Sequence, residues 1–320
     1  MSGKDWVAAD SAAEENSDHL RARVAWYYFA AGMTQQEIAG RLGITRLRVN
    51  KIVGQLRTDG SVLIDIRLPL TGCIELEEKL KARYGLKDVR VIPTAGDFTV
   101  MQRLIGEAAG EMLDQLIFDG MGLGVGWGRT LSAVLKRMTP RRFSRSWVST
   151  LMGGLTRGSG TNTFEVSTAF ARVLGSECFY LAAPIYLPTA ESRTVLTSHH
   201  GIAETLRRVR TADIALVSCG DMSSRSLLAS TQTITENIDG LLRAGAVGDL
   251  LGLFLDEGGR PVDHPLNERV MAISPLELKA IPDSILASGG AHKAPIVRAV
   301  LSAGYVKRIV TDEECAAAVL

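Results

Sequence analysis

Two sets of residues have the types and the spacing to do chemistry. In the first, Arg46, Arg48, Asn50 and Lys51 alternate with Leu47, Val49, Ile52, Val53 and Leu56. One short helix would then carry a donor-rich face and an apolar stripe for burial. Arg, Lys and Asn read base edges in the major groove, and any cation can hold a phosphate. In the second set, three glycine-bearing loops each follow a β-rich run: GVGWGRT at 124–130, LMGGLTRG at 151–158 and ASGGAHK at 287–293. Their glycines, Gly126, Gly128, Gly153 and Gly154 among them, let a backbone approach an anion. Arg129 adds charge, and Thr130 can cap a helix or donate its hydroxyl. Lys293 opens a helix, where a cation is locally unfavourable, so a bound anion would compensate. A further segment, Cys219 to Arg225, brings Asp221, hydroxyls and a base to another strand end.

Metal chemistry is not called for. Cys73, Cys178, Cys219 and Cys315 are far apart and form no CxxC pair. They read as reduced thiols of a cytoplasmic protein. The five histidines show no ligand spacing, and the adjacent His199 and His200 would diverge on a regular element. No cofactor and no catalytic residue are expected.

The elements that must position these groups fall into two parts. Thr34-Gln35-Gln36-Glu37 fits a capping box ahead of a short helix carrying Ile38, Ala39 and Leu42. Gly43 supplies the turn, and Thr45 caps the donor-rich helix. With a first helix over Leu20–Ala31, this is the layout of a helix-turn-helix, in which Thr34, Gln35, Gln36, Thr45, Arg46, Arg48, Asn50 and Lys51 would face DNA. Gly60 and the run Ser61–Ile66 suggest a turn and strand, hence a winged variant. Between His19 and Arg67 there are eight Lys or Arg against three acids, whereas the whole chain of 320 residues is only +1. Positive charge is thus concentrated where phosphate contacts would be made.

The expected boundaries are an acidic, disordered tail over 1–18, the helix-turn-helix domain over 19–68, a linker or packing helix within 69–88, and an α/β domain over 89–320. The tail has no secretory signal and no run is long enough to span a bilayer. In the last part, strands are expected at Val89–Pro93, Gly122–Val125, Trp147–Leu151, Glu177–Leu181, Ile214–Val217, Val270–Ile273, Ile285–Ala287 and Arg308–Val310. Helices are expected at Thr99–Ile117, Leu131–Arg137, Phe164–Leu174, His292–Ser302 and Asp312–Val319. Such alternation implies a mainly parallel sheet covered on both faces, with ligands bound beyond the carboxyl ends of its strands.

The helix-turn-helix, the GVGWGRTL and LMGG loops, Gly245-Ala246-Val247-Gly248-Asp249 and the closing SGGAHKAPIVRAVLSAGYVKRIVTDEECAAAVL together resemble the SorC-type sugar-responsive transcriptional regulators. The resemblance runs from about residue 20 to the end. It implies an operator-binding domain joined to an effector domain related in fold to sugar-phosphate isomerases. It further implies a homo-oligomer, typically a tetramer, that responds to a phosphorylated sugar or a sugar alcohol. Carried over by position, the effector phosphate would lie against Gly126, Trp127, Gly128, Arg129 and Thr130, with Gly153 and Gly154 bordering the pocket. Asp249 would accept from ligand hydroxyls and Lys293 would meet the phosphate. A repressor relieved by its effector is the reading this supports. The alternative is a sugar-phosphate isomerase or deaminase, for which Asp221, Asp249, His292 and Lys293 would have to converge on a substrate for proton transfer.

Overall fold

The computed structural model describes residues 18–59, 61–62, 70–156, 160–229 and 231–320. The acidic tail over 1–17, most of the expected wing strand, Arg67–Pro69 and the Arg157–Gly158 end of the second loop lie outside the described residues. The chain divides between residues 68 and 69 into two compact units.

In the first unit a helix over 18–25 (α1) runs into a π-helical turn, Trp26–Ala30. Thr34 starts α2 (Gln35–Leu42) through a complete capping box: its hydroxyl accepts from the Glu37 amide, and the Glu37 carboxylate accepts from the Thr34 amide. Gly43 ends α2 at φ 64°, a left-handed conformation that favours glycine. Thr45 then caps α3 (Arg46–Thr58), accepting from the Arg48 amide at 3.2 Å. Val24, Ile38, Ala39, Val49, Ile52, Val53 and Leu56 close a small core. Leu47, expected in that stripe, is instead 79% exposed. It sits two residues from Val49, or 200° around the helix, so it cannot share the buried face.

The second unit contains α4 (Thr71–Tyr84), β1 (Asp88–Ile92), α5 (Phe98–Leu116), β2 (Gly122–Val125), α6 (Arg129–Val134), β3 (Trp147–Thr150), α7 (Thr163–Leu174) and β4 (Glu177–Phe179). Then come α8 (Ala190–Ser198), α9 (His200–Val209), β5 (Ile214–Val217), β6 (Cys219–Asp221), α10 (Gln232–Thr235), α11 (Ile238–Arg243), β7 (Gly248–Leu250) and β8 (Leu253–Leu255). It closes with α12 (Pro265–Arg269), α13 (Pro275–Ala280), β9 (Asp283–Ala287), α14 (Ala294–Ser302), β10 (Arg308–Asp312) and α15 (Glu313–Val319). Seven strands form an all-parallel sheet in the order β1-β10-β9-β5-β2-β3-β4. Alternate residues feed opposite layers: Ile214 and Leu216 meet the α5–α6–α7 side, while Ala215 and Val217 meet the side of α4, α9, α14 and α15. The helix expected as a linker, α4, packs within this unit, where Leu80 is fully buried and the Tyr84 hydroxyl donates to the Val319 carbonyl.

Three strands had no clear mark in the sequence. β6, β7 and β8 form a separate antiparallel sheet beside the end of β5. The expected strand Val270–Ile273 is a correction. It is an extended, buried stretch that makes only isolated bridges, Tyr186 to Val270 and Met152 to Ala272. A short apolar run reports burial, not a partner strand. The helix expected over Leu131–Arg137 begins two residues earlier and tightens into a 3-10 turn at Leu135–Arg137. His292–Ser302 likewise divides into a 3-10 turn, Ala291–Lys293, and α14. Among the described residues no helix is long and apolar enough to cross a membrane.

Candidate functional site

The strand order contains one switch point. From β2 the chain moves to β3 and β4 on one side, and from β5 it moves to β9 and β10 on the other. Connections leaving neighbouring strands in opposite directions open a crevice at their carboxyl ends. A solvent-open cleft occupies this place. Trp127, Gly128, Arg129 and Thr130 line it after β2, Ser218, Cys219 and Gly220 after β5, and Lys293 after β9. Asp249 reaches it from β7, and Phe98 and Gln102 from the first turns of α5. Arg225, Ser226, Leu227 and Leu228 complete the wall.

Asp249 is 4% exposed, and its Oδ2 accepts from the Gly252 amide at 3.0 Å. Burial pushes its carboxyl up from 3.8 to about 6; the Gly252 donor and Lys293 pull it down, and Asp221 pushes it up. Opposite it in the β6–β7 ladder stands Gly220. A Cβ there would come within 2.3 Å of Asp249 Oδ1, so only glycine leaves that oxygen room. Lys293 is 6% exposed and donates from Nζ to the Cys219 carbonyl at 2.8 Å. A buried ammonium next to a buried carboxyl suits a polar, partly anionic guest, because each keeps bonding capacity that burial would otherwise waste.

Polar atoms without partners cluster around the cleft. Gln102 Oε1, Asp221 Oδ1 and His292 Nε2 are all buried and make no hydrogen bond. Asp221 sits in β6 at 6% exposure. The His292 ring packs edge-on to Phe98 at 4.9 Å, and burial pushes its pKa down against the opposing charge of Asp221. Neither Asp221 nor His292 lines the cleft itself.

The glycines behave differently from one another. The amides of Gly126 and Gly128 already donate to the carbonyls of Leu216 and Thr161, at 2.9 and 3.0 Å. What this loop presents to the cleft is therefore the Trp127, Arg129 and Thr130 side of the turn. Gly153 and Gly154 are not among the lining residues. They are packing positions, where a Cβ would meet the Ala183 carbonyl at 2.5 Å and the Phe164 ring at 2.4 Å.

In the first unit, Thr34, Gln36, Thr45, Arg46, Arg48, Asn50 and Lys51 are exposed and Gln35 is half-buried. Gln35 Nε2 donates to Asn50 Oδ1 at 3.2 Å, joining the start of α2 to the outer face of α3. Part of the basic surplus is structural. Arg21 is paired with Asp59, Arg41 lies over the Tyr27 ring and Arg57 over Phe29. Among the described residues of this unit, Arg46, Arg48 and Lys51 on the outer side of α3, and Arg23 on α1, have no such partner.

A capped helix-turn-helix and an α/β unit with a polar switch-point cleft are the two halves of a ligand-controlled regulator. Residues 68–320 match the family model Sugar-bind, described as "Putative sugar-binding domain". The chain is 31% identical over 308 residues to the erythritol catabolism regulatory protein EryD of Brucella abortus (strain 2308), covering 95% of this chain and 96% of that one. This chain belongs to the SorC family of sugar-binding transcriptional regulators. It is also 31% identical over 304 residues to the transcriptional regulator LsrR of Escherichia coli (strain K12), covering 93% of each. Its fold matches the full-length sorbitol operon regulator SorC of Klebsiella pneumoniae with a TM-score of 0.73 at 24% identity, over 94% of this chain and 98% of that one. It is a transcriptional regulator with a sugar-binding domain, and its relatives are named as regulators, not as enzymes.

Within the SorC family reading, sequence reasoning missed Phe98, Gln102, Ser218 and Ser226 as cleft residues. Phe98 and Gln102 open an amphipathic helix whose pattern announces only its buried face. Ser218 adjoins a strand only three residues long and Ser226 lies in the irregular segment after it, neither of which leaves a periodic mark.

Proposed function

We propose that the first unit binds operator DNA through α3 and that a phosphorylated sugar or sugar alcohol in the switch-point cleft controls this binding. The observation that carries the reading is that buried Lys293 and buried Asp249 line one cleft together with Arg129 and Arg225. A polyol donates hydroxyls to a carboxylate, and Lys and Arg hold a phosphate. The protein acts by binding, as a cytoplasmic homo-oligomeric repressor, most simply a tetramer, of a carbohydrate or polyol catabolic operon. Its effector stabilises a subunit arrangement that the operator disfavours. Arg46, Arg48, Asn50 and Lys51 make the DNA contacts, supported by Thr34, Gln35, Gln36 and Thr45.

A thermal-shift screen of the full chain against sugars, polyols and their phosphates tests the reading. A ligand at about a hundred times its dissociation constant adds roughly 2.7 kcal/mol to stability. Hits among phosphorylated compounds that also release operator DNA are expected. A hit confined to free polyols would remove the phosphate assignment. Steady conversion of a hit into product would replace the regulator with the isomerase reading.

A further inference from the structure

At 100° per residue, Leu47 lies directly opposite the buried stripe of Val49, Ile52, Val53 and Leu56. Asn50, Lys51 and Gly54 share its outward side, and Arg46 and Arg48 flank it. None of these three cations has an ion pair among the described residues. Beyond Leu47 the ridge falls away, since a Cβ on Gly54 would meet nothing within 4 Å. A lone surface leucine needs no explanation. This one is different because it stands in the middle of a cationic, hydrogen-bonding face, with Asn50 tied back to Gln35. Such a face suits a polyanion that also offers one apolar group.

Double-stranded DNA fits that description at one base. In the major groove only thymine presents a methyl group, and apolar side chains recognise it by contact. We propose that Leu47 is a specificity-determining residue, packing its isobutyl group on the 5-methyl of a thymine in each operator half-site. Asn50 lies three residues further along, about 4.5 Å on the helix axis, while base pairs are about 3.4 Å apart. The thymine therefore lies one or two base-pair steps from the base that Asn50 contacts. This rests on the operator-binding reading given above, and adds to it a base identity that hydrogen bonding alone would not select.

The test uses the full chain and duplexes that it enriches from a random-sequence pool. Each thymine is replaced singly by deoxyuridine, which keeps every hydrogen-bonding group and removes only the methyl. Wild type should lose about fourfold in affinity at one thymine per half-site, the equivalent of the roughly 0.8 kcal/mol for one buried methyl-sized group. Leu47→Ala, at an exposed site, should keep the wild-type melting temperature, bind the parent duplex about fourfold more weakly, and ignore that replacement. Leu47→Gln should behave in the same way. Uniform indifference of wild type to deoxyuridine overturns the proposal and leaves operator binding intact. So does a Leu47→Ala protein that still loses fourfold at the same thymine. Failure of wild type to enrich any sequence overturns the operator-binding reading, and this proposal with it.

Discussion

Asp249 carries the sharpest consequence at the scale of one residue. Its carboxyl is raised from 3.8 to about 6 by burial. Because the folded value lies above the unfolded one, the native state holds the proton more tightly between these pH values. The stability this contributes is complete below about pH 4 and is lost as pH rises through 6. Two pH units correspond to about 3 kcal/mol. In denaturant titrations, the unliganded protein should lose stability across this window relative to Asp249→Asn, which has no such proton. Ligand affinity should run the other way, rising from pH 5 to 7, since hydroxyls donate best to the carboxylate. A flat Asp249→Asn affinity profile measured by calorimetry would confirm the assignment. Gln102 makes a second point at this scale. Its Oε1 is buried, unpartnered and beside the cleft. Gln102→Ala should weaken effector binding about tenfold while leaving operator affinity without effector unchanged, the loss expected when one hydrogen bond of about 1.4 kcal/mol disappears.

At the scale of elements, the cleft depends on how closely α5 approaches α6. A Cβ on Gly106 would fall 2.3 Å from the Thr130 carbonyl and 2.6 Å from Ala133 Cβ. Gly110 faces the Val134 carbonyl at the same 2.3 Å. These two glycines, four apart on one helix, let α6 sit against α5 and so bring Arg129 and Thr130 to the cleft. Gly106→Ala should cost about 1–3 kcal/mol by overpacking and should weaken effector binding, because α6 carries the wall with it. Thermal melts and effector titrations of the same variant separate the two effects. The smaller unit depends on caps. Thr45→Ala removes the acceptor of the Arg48 amide and should lower stability by about 1 kcal/mol, read as the melting of that unit. Both caps were readable as Thr34-x-x-Glu37 and as a Thr before an apolar-periodic run. The close α5–α6 contact was not, because a glycine four residues from another in a helix does not name the surface that will meet it.

For the whole molecule, control of one unit by the other is a coupling free energy and must be reciprocal. If effector at saturation weakens operator binding by some factor, operator must weaken effector binding by the same factor. Fluorescence anisotropy on labelled operator and calorimetry on the preformed DNA complex measure the two sides. Unequal factors would mean that the effector acts on DNA and not through the protein's conformations. Net charge bears on the same scale. The chain as a whole is only +1, so if DNA is held through the α3 cations as proposed, binding should show a modest salt slope.

What the sequence determined by itself was everything carried by neighbours along the chain. The Thr34 capping box, the Gly43 turn, the donor-rich helix and the alternation of strands with helices are local, because their partners lie within four residues or repeat with a fixed period. The loops after β2 and β9 were visible for the same reason, and so was the family they point to. Only the tertiary structure decided which loops share a site. Strand order sets that, and strand order is fixed by non-local pairing that no single segment records. Thus β2, β5 and β9 bring Arg129, Cys219 and Lys293 together across more than 160 residues, while Gly153 and Gly154 become packing positions. It also placed Asp249 on a three-residue strand beside Gly220, and turned Leu47 outward. In both cases the deciding quantity was burial, which depends on what the rest of the chain brings to that position.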